Sequence, residues 1–290
     1  MEFLQPTSWG EALAAKAERP EAVPIAGGTD VMVELNFDAR RPAALLDLTR
    51  VPDLAQWSAE GGTVRLGAGV SYARVITELG DRLPGLAMAA RTVGSPQIRN
   101  RGTVGGNLGA ASPAGDSHPP LLAAGAAIEV ASVRGVRTIP AGDFYTGVKR
   151  HALANDELIA AILIPQAAGP QQFSKIGTRN AMVIAVASFC VSLNAADRTV
   201  GTGIGSAAPT PRRALDAELF LAGVLAEEGL WESLADLPEA VVSEFGQKVR
   251  AAASPVDDVR GTAAYRLHGL AVMARRTLTW AWDSLQAKGG

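Results

Sequence analysis

Cysteine is almost missing from this chain. A single residue in 290, Cys190, leaves no internal disulfide, no four-thiolate zinc site and no iron–sulfur cluster held by the chain itself. Histidine is nearly as scarce, and His118, His151 and His268 lie too far apart in sequence to suggest a histidine metal centre. No stretch approaches the roughly 18 consecutive apolar residues that a membrane-spanning helix needs. Charge of one sign does not accumulate either: the formal net charge is −2, so neither nucleic acid nor an anionic membrane surface is an expected partner. Met1–Glu2–Phe3–Leu4–Gln5–Pro6 shows no basic segment leading into an apolar one, which makes the cytoplasm the expected location. Cys190 falls in the apolar run Ala185–Leu193 and is expected to be a small buried hydrophobe. Chemistry in this chain therefore calls for an organic cofactor or a partner.

What is present is ordinary globular composition, 48% apolar and 19% charged, at a length that suits one large or two modest domains. Ser8 and Glu11 form a capping-box pattern ahead of a helical run Ala12–Ala17. A short strand Ala22–Ile25, a helix to Phe37 and a strand Ala44–Leu48 make a small β-α-β unit. Strands are then expected at Thr63–Leu66, Val104–Leu108, Ala127–Val133, Val136–Pro140 and Leu158–Pro165. Helices at Ser71–Leu79, Leu86–Arg91 and Pro119–Ala124 interrupt them. Gln166–Gln172, with Gly169–Pro170, has the composition of a linker. Strands Phe173–Ile176, Ala185–Asn194 and Gly201–Ser206 follow. Apolar residues from Leu267 to Leu285 at i, i+3, i+4 spacing predict one long amphipathic helix, with Trp280 and Trp282 as packing residues.

Two glycine-rich loops stand out. The first, Pro24-Ile25-Ala26-Gly27-Gly28-Thr29-Asp30, follows or enters an apolar strand. Glycines there let the backbone approach a ligand and allow successive N–H groups to converge on a phosphate. The same residues also suit a plain strand-to-helix turn. The loop lacks the G-x-G-x-x-G spacing of a Rossmann turn and the Gly-Lys-Ser/Thr of a P-loop. The second, Thr103-Val-Gly-Gly106-Asn107, continues through Ala110 and Ser112 to Asp116. It compresses small residues, hydroxyls, an amide and a carboxylate into 14 positions. Few turns need so many small residues in succession, and a carboxylate such as Asp116 can accept from ribose hydroxyls.

Together, Gly-Gly-Thr-Asp at 27–30, Thr-Val-Gly-Gly-Asn at 103–107 and Ala-Ser-Pro-x-x-Asp at 111–116 resemble the FAD-binding subunits of the xanthine dehydrogenase and carbon monoxide dehydrogenase family. Gly94-Ser-Pro-Gln-Ile-Arg-Asn-Arg-Gly-Thr103 and Asp156-Glu-Leu-Ile159 resemble further segments of it, and the likeness is nearest to bacterial xanthine dehydrogenase FAD subunits. The resemblance implies an α+β protein. Residues 1–168 would form a two-subdomain FAD-binding fold of the PCMH (vanillyl-alcohol-oxidase-like) type, divided near residue 55. Residues 172–290 would form a C-terminal α/β domain of the CO dehydrogenase flavoprotein type. It implies that Val23–Asp30 wraps the FAD pyrophosphate and that Thr103, Gly106 and Asn107 hold its other side. Val93 and Gly94 would pack against the cofactor, with Ala110 and Ser112 alongside it. Asp116 would take the adenosine ribose and Ile159 the adenine or flavin edge. Lys175 would stand near the flavin, where a cation favours the anionic reduced form; the alternative is a solvated surface lysine.

The first loop carries no histidine, so FAD is expected to be noncovalent. His118 is expected to be a polar residue capping the helix from Pro119. No acid–base dyad or nucleophile constellation is visible. The resemblance then implies an electron-transfer subunit. A large partner would carry the molybdenum cofactor and a small partner [2Fe-2S] clusters, and electrons would pass through FAD here to NAD⁺ or another acceptor. The substrate would be a purine, with carbon monoxide or an aromatic N-heterocycle as alternatives. A stand-alone flavin oxidoreductase and a flavin-free scaffold subunit are the rival readings.

Overall fold

A computed structural model describes residues 1–289. Its first 50 residues form the expected strand–helix–strand unit with one strand added. Glu2–Leu4, Ala44–Asp47 and Val23–Ile25 lie parallel in that order across a three-stranded sheet. Ala44–Asp47 is buried throughout, as a central parallel strand covered on both faces must be. The helix Trp9–Glu18 begins as its sequence predicts, with the Ser8 hydroxyl accepting from the Glu11 N–H at 3.2 Å. The Glu11 carboxylate turns to the Thr7 N–H at 2.7 Å, stepping one residue back from the reciprocal bond of a capping box.

The second sheet is antiparallel, in the order Trp57–Glu60, Thr63–Gly67, Leu158–Pro165, Ala127–Ser132 and Gly135–Pro140. Its middle strand, Leu158–Pro165, is apolar and buried at nearly every position because neighbours cover it on both sides. Between the second and fourth strands the chain runs through short helices at Tyr72–Glu78, Pro84–Thr92, Pro96–Arg101, Val104–Ala110 and His118–Ala123.

One of these corrects the sequence reading: Val104–Leu108 is helical, not a strand. Three glycines make the helix Val104–Ala110 intrinsically poor, but tertiary terms outweigh that propensity. The Thr103 hydroxyl accepts from the Gly106 N–H at 2.9 Å, and Val104 and Leu108, one turn apart, are both fully buried. Gly105 sits against Ala68, where a Cβ would meet a carbonyl oxygen at 2.5 Å.

The C-terminal part forms a separate antiparallel sheet, Gln171–Ile176, Ala187–Asn194 and Thr199–Gly205, covered by helices Leu215–Glu227, Glu239–Ala251 and Ala263–Gly289. Leu270, Ala274, Leu278, Ala281 and Trp282 of the last helix are buried, and Trp280 is exposed. One hydrophobic core draws on residues between 12 and 164, and a second on residues between 187 and 285. No described helix is long and apolar enough to cross a membrane.

Candidate functional site

Both glycine-rich loops open onto one cleft of about 1080 Å³, at the large end of the range for small-molecule sites. The first loop contributes Val23, Pro24 and Ala26–Asp30 to its wall. Gly27 lets the first loop lie against the Arg101–Gly102 backbone just ahead of the second, since a Cβ there would run into the Arg101 carbonyl. Gly28 has φ +77°, a left-handed conformation that suits glycine. Among the described residues, the backbone N–H groups of Gly27, Gly28, Thr29 and Asp30 donate to no other protein group. Four such donors in succession make a concave surface suited to an anion. Asp30 gives the following helix no side-chain cap, which removes the plain N-cap reading of this turn. Burial pushes its carboxyl above the ordinary carboxylate range.

The opposite wall carries Val93, Gly94, Thr103, Gly106, Asn107 and Ala110, with Asp116 and Ile159 behind them. The Val93–Gly94 turn is held by Arg99, whose Nη1 donates to the carbonyls of Arg91, Val93 and Gly94 at 3.1 Å each. Ile159 precedes a register shift between Ile159 and Ala161, which interrupts the regular alternation beside the cleft. Asn107 is tied to a buried pair: Ser117 Oγ donates to its Oδ1 at 2.8 Å, and the Tyr72 hydroxyl lies 2.8 Å from Ser117 Oγ. Burial pushes the Tyr72 phenol well above its ordinary value and keeps it protonated.

Three residues expected at the site stand outside the cleft wall. Ile25 and Ser112 do not line it, and Ser112 instead accepts from the Ala114 N–H in the loop. Lys175 is neither in the wall nor a solvated surface lysine. Its Nζ is buried, 2.5 Å from Asp116 Oδ2 and 3.2 Å from the Thr92 carbonyl. It reaches the site through Asp116, whose remaining oxygen, Oδ1, is buried and has no protein partner. Burial raises the Asp116 pKa against the opposing pull of Lys175.

His118 also departs from expectation. Ser117 precedes the helix, and His118 is completely buried with Nδ1 2.7 Å from the Tyr145 hydroxyl. Burial lowers its pKa to about 3. Sequence reasoning passed over Arg99, Tyr72, Ser117 and His151. Arg99 lies inside the segment 94–103 already marked by resemblance, and His151, which lines the cleft, had no local signal. Among the described residues no group of three His, Cys, Asp or Glu side chains could hold a metal ion.

A family model described as the FAD binding domain in molybdopterin dehydrogenase matches residues 1–167, and one described as the CO dehydrogenase flavoprotein C-terminal domain matches residues 172–281. The chain belongs to this flavoprotein family. It is 32% identical over 285 residues to the nicotine 6-hydroxylase medium subunit of Paenarthrobacter nicotinovorans, covering 96% of both chains. It is 29% identical to the xanthine dehydrogenase FAD-binding subunit of Escherichia coli O157:H7, covering 97% of this chain and 94% of that one. A solved carbon monoxide dehydrogenase from Hydrogenophaga pseudoflava superposes with a TM-score of 0.87 at 29% identity, covering 98% of each chain. The flavoprotein is thus an FAD-binding component of an oxidoreductase family whose members include medium subunits of larger complexes.

The cleft's own chemistry fits FAD. Four unpartnered N–H donors suit a diphosphate, and the sealed, unpartnered Asp116 Oδ1 is an acceptor that a ligand hydroxyl or N–H would satisfy. Small residues at 105, 106, 109 and 110 leave the opposite wall low enough for a long, flat molecule.

Proposed function

We propose that this flavoprotein is the electron-transferring FAD subunit of a purine dehydrogenase of the molybdenum hydroxylase type. It would work in the cytoplasm with a large molybdenum-cofactor subunit and a small iron–sulfur subunit, and would deliver electrons to NAD⁺ or another acceptor. The observation that carries the reading is the convergence of both glycine loops on one cleft. A second reading, an aromatic N-heterocycle dehydrogenase, is favoured by the 32% identity to the nicotine 6-hydroxylase subunit.

In this reading residues 1–168 hold the cofactor and 172–290 form the second domain. The N–H groups of residues 27–30 bind the diphosphate, with Thr103, Gly106 and Asn107 on its far side. Val93, Gly94 and Ala110 shape the wall against the ring system. Asp116 accepts from the cofactor through Oδ1 while Lys175 neutralises the other oxygen. FAD supplies the redox chemistry when bound, and the chain supplies binding, orientation and local charge. Attachment is noncovalent, because the first loop offers no nucleophile.

The test is purification of the tagged chain with whatever subunits accompany it, followed by assay with xanthine, nicotine and carbon monoxide in the presence of NAD⁺ or a dye. Turnover of xanthine by a three-subunit complex supports the first reading. Turnover of nicotine alone selects the second, and a complex without molybdenum overturns both.

A further inference from the structure

Asn107 is held at the cleft wall by Ser117, which does not line the cleft, and through it by Tyr72, whose ring lines the cleft while its hydroxyl is engaged with Ser117. Ser117 Oγ has one hydrogen, and it goes to Asn107 Oδ1, a carbonyl oxygen that can only accept. The Tyr72 hydroxyl, 2.8 Å from the same Ser117 Oγ, must then be the donor in that contact. Tyr72 and Ser117 are both almost fully buried, and no other partner of the Tyr72 hydroxyl exists among the described residues. Asn107 Nδ2, by contrast, donates to no protein group among the described residues and is not sealed from solvent. The remaining side of Oδ1 is closed by Gly115, where a Cβ would stand 2.7 Å from it.

The direction of this chain follows from counting hydrogens. With Tyr72 donating to Ser117 and Ser117 to Asn107 Oδ1, every buried hydrogen has an acceptor, and both Nδ2 hydrogens are left for the cleft. With the amide turned over, Nδ2 would donate to Ser117, Ser117 to Tyr72, and the phenolic hydrogen would be stranded in a fully buried position. A buried unpaired donor is disfavoured over a paired one. Tyr72 thus selects the sense of an amide that it does not touch.

We infer that Tyr72 and Ser117 are positioning residues: a one-way hydrogen-bond relay that fixes the Asn107 side chain as a donor into the cleft, aimed at an oxygen of the FAD diphosphate. The inference rests on the proposed placement of FAD in this cleft. It adds the cause of Asn107's orientation and two residues outside the glycine loops on which affinity depends.

The experiment is a double-mutant cycle on FAD affinity, read by fluorescence titration of the full-length apoprotein. Tyr72→Phe keeps the ring and removes only the hydroxyl, so it should weaken FAD binding about fivefold, within the range of one hydrogen bond. Asn107→Ala should weaken it about tenfold or more. The diagnostic result is coupling: in the Asn107→Ala background, Tyr72→Phe should have no further effect, because the ring that lines the cleft is kept and the hydroxyl acts only through Ser117 and Asn107. Asn107→Asp should bind more weakly than Asn107→Ala, since an acceptor then faces the diphosphate. Equal losses for Tyr72→Phe in both backgrounds would make Tyr72 a general packing residue and overturn the relay. Asn107→Asp binding as well as the unaltered chain would overturn the donor role. An unaltered chain that binds FAD, with Asn107→Ala binding equally well, would place the cofactor away from this wall and remove the relay and the site assignment together. Should Tyr72→Phe fold poorly, Ser117→Ala tests the same coupling through the middle of the relay.

Discussion

At the scale of single residues, two buried groups make opposite demands on pH. His118 is neutral and fully buried, with a pKa lowered to about 3, whereas an unfolded histidine titrates near 6.5. The unfolded chain therefore binds more protons between these values, so the contribution of His118 to stability is present above 6.5 and is lost as pH falls. Denaturant unfolding should lose about 1.4 kcal/mol per pH unit through this group in that window. His118→Gln, which keeps a partner for Tyr145, should show a shallower acid limb; an identical slope would contradict the buried neutral state. Lys175 and Asp116 form the other case. Lys175→Met leaves a buried carboxylate without its counter-charge and should cost about 3–5 kcal/mol of stability near neutral pH. The loss should shrink in mild acid, where Asp116 takes up a proton. Urea titrations at two pH values check this, and a pH-independent loss would mean Lys175 contributes packing alone. Neither behaviour was legible from the sequence, which showed His118 as a polar residue beside a helix and Lys175 as a cation near the flavin. Burial and a distant partner decide both, Tyr145 27 positions from His118 and Asp116 59 positions from Lys175, and no local pattern records either.

At the scale of elements, the glycine loops differ in what each glycine does. Gly27 allows the backbone of the first loop to touch Arg101, so Gly27→Ala should drive the loops apart and yield a folded, FAD-depleted protein. Gly28 carries the positive φ, and its Cβ would meet the flexible Met32 side chain at 3.3 Å and, in ordinary contact, Ile25 at 3.7 Å. Gly28→Ala should therefore cost about 1–2 kcal/mol of backbone strain and retain most FAD. The ratio of flavin absorbance to protein absorbance after purification distinguishes them; equal flavin content in the two would remove the loop–loop contact as a determinant. Here the sequence was informative, because small residues in clusters announce close backbone approach. It misled over Val104–Leu108, where glycines and a strand-like apolar start concealed a helix. The Thr103 cap and the buried pair Val104 and Leu108 were the available signs. The long C-terminal helix was legible because its apolar stripe follows one period for several turns. The edge strands Glu2–Leu4 and Trp57–Glu60 were not, being short and mostly exposed.

At the scale of the whole molecule, the chain holds a cleft suited to FAD, and among the described residues no group of His, Cys, Asp or Glu could hold a metal ion. The flavin should be released completely by acid precipitation, since the first loop has no attachment residue and His151 has its Nδ1 buried in the wall. Yellow colour left in the pellet would contradict noncovalent binding and point to His151, which lines the cleft, as an attachment site. The central claim is that this subunit relays electrons and does not oxidise the organic substrate. Anaerobic mixing of the purified, FAD-loaded chain with xanthine, then with nicotine, tests it most directly. Flavin absorbance should stay unchanged with the chain alone and bleach only when the molybdenum and iron–sulfur subunits are added. Bleaching of the isolated chain by either compound would contradict the relay and make this protein an oxidase in its own right.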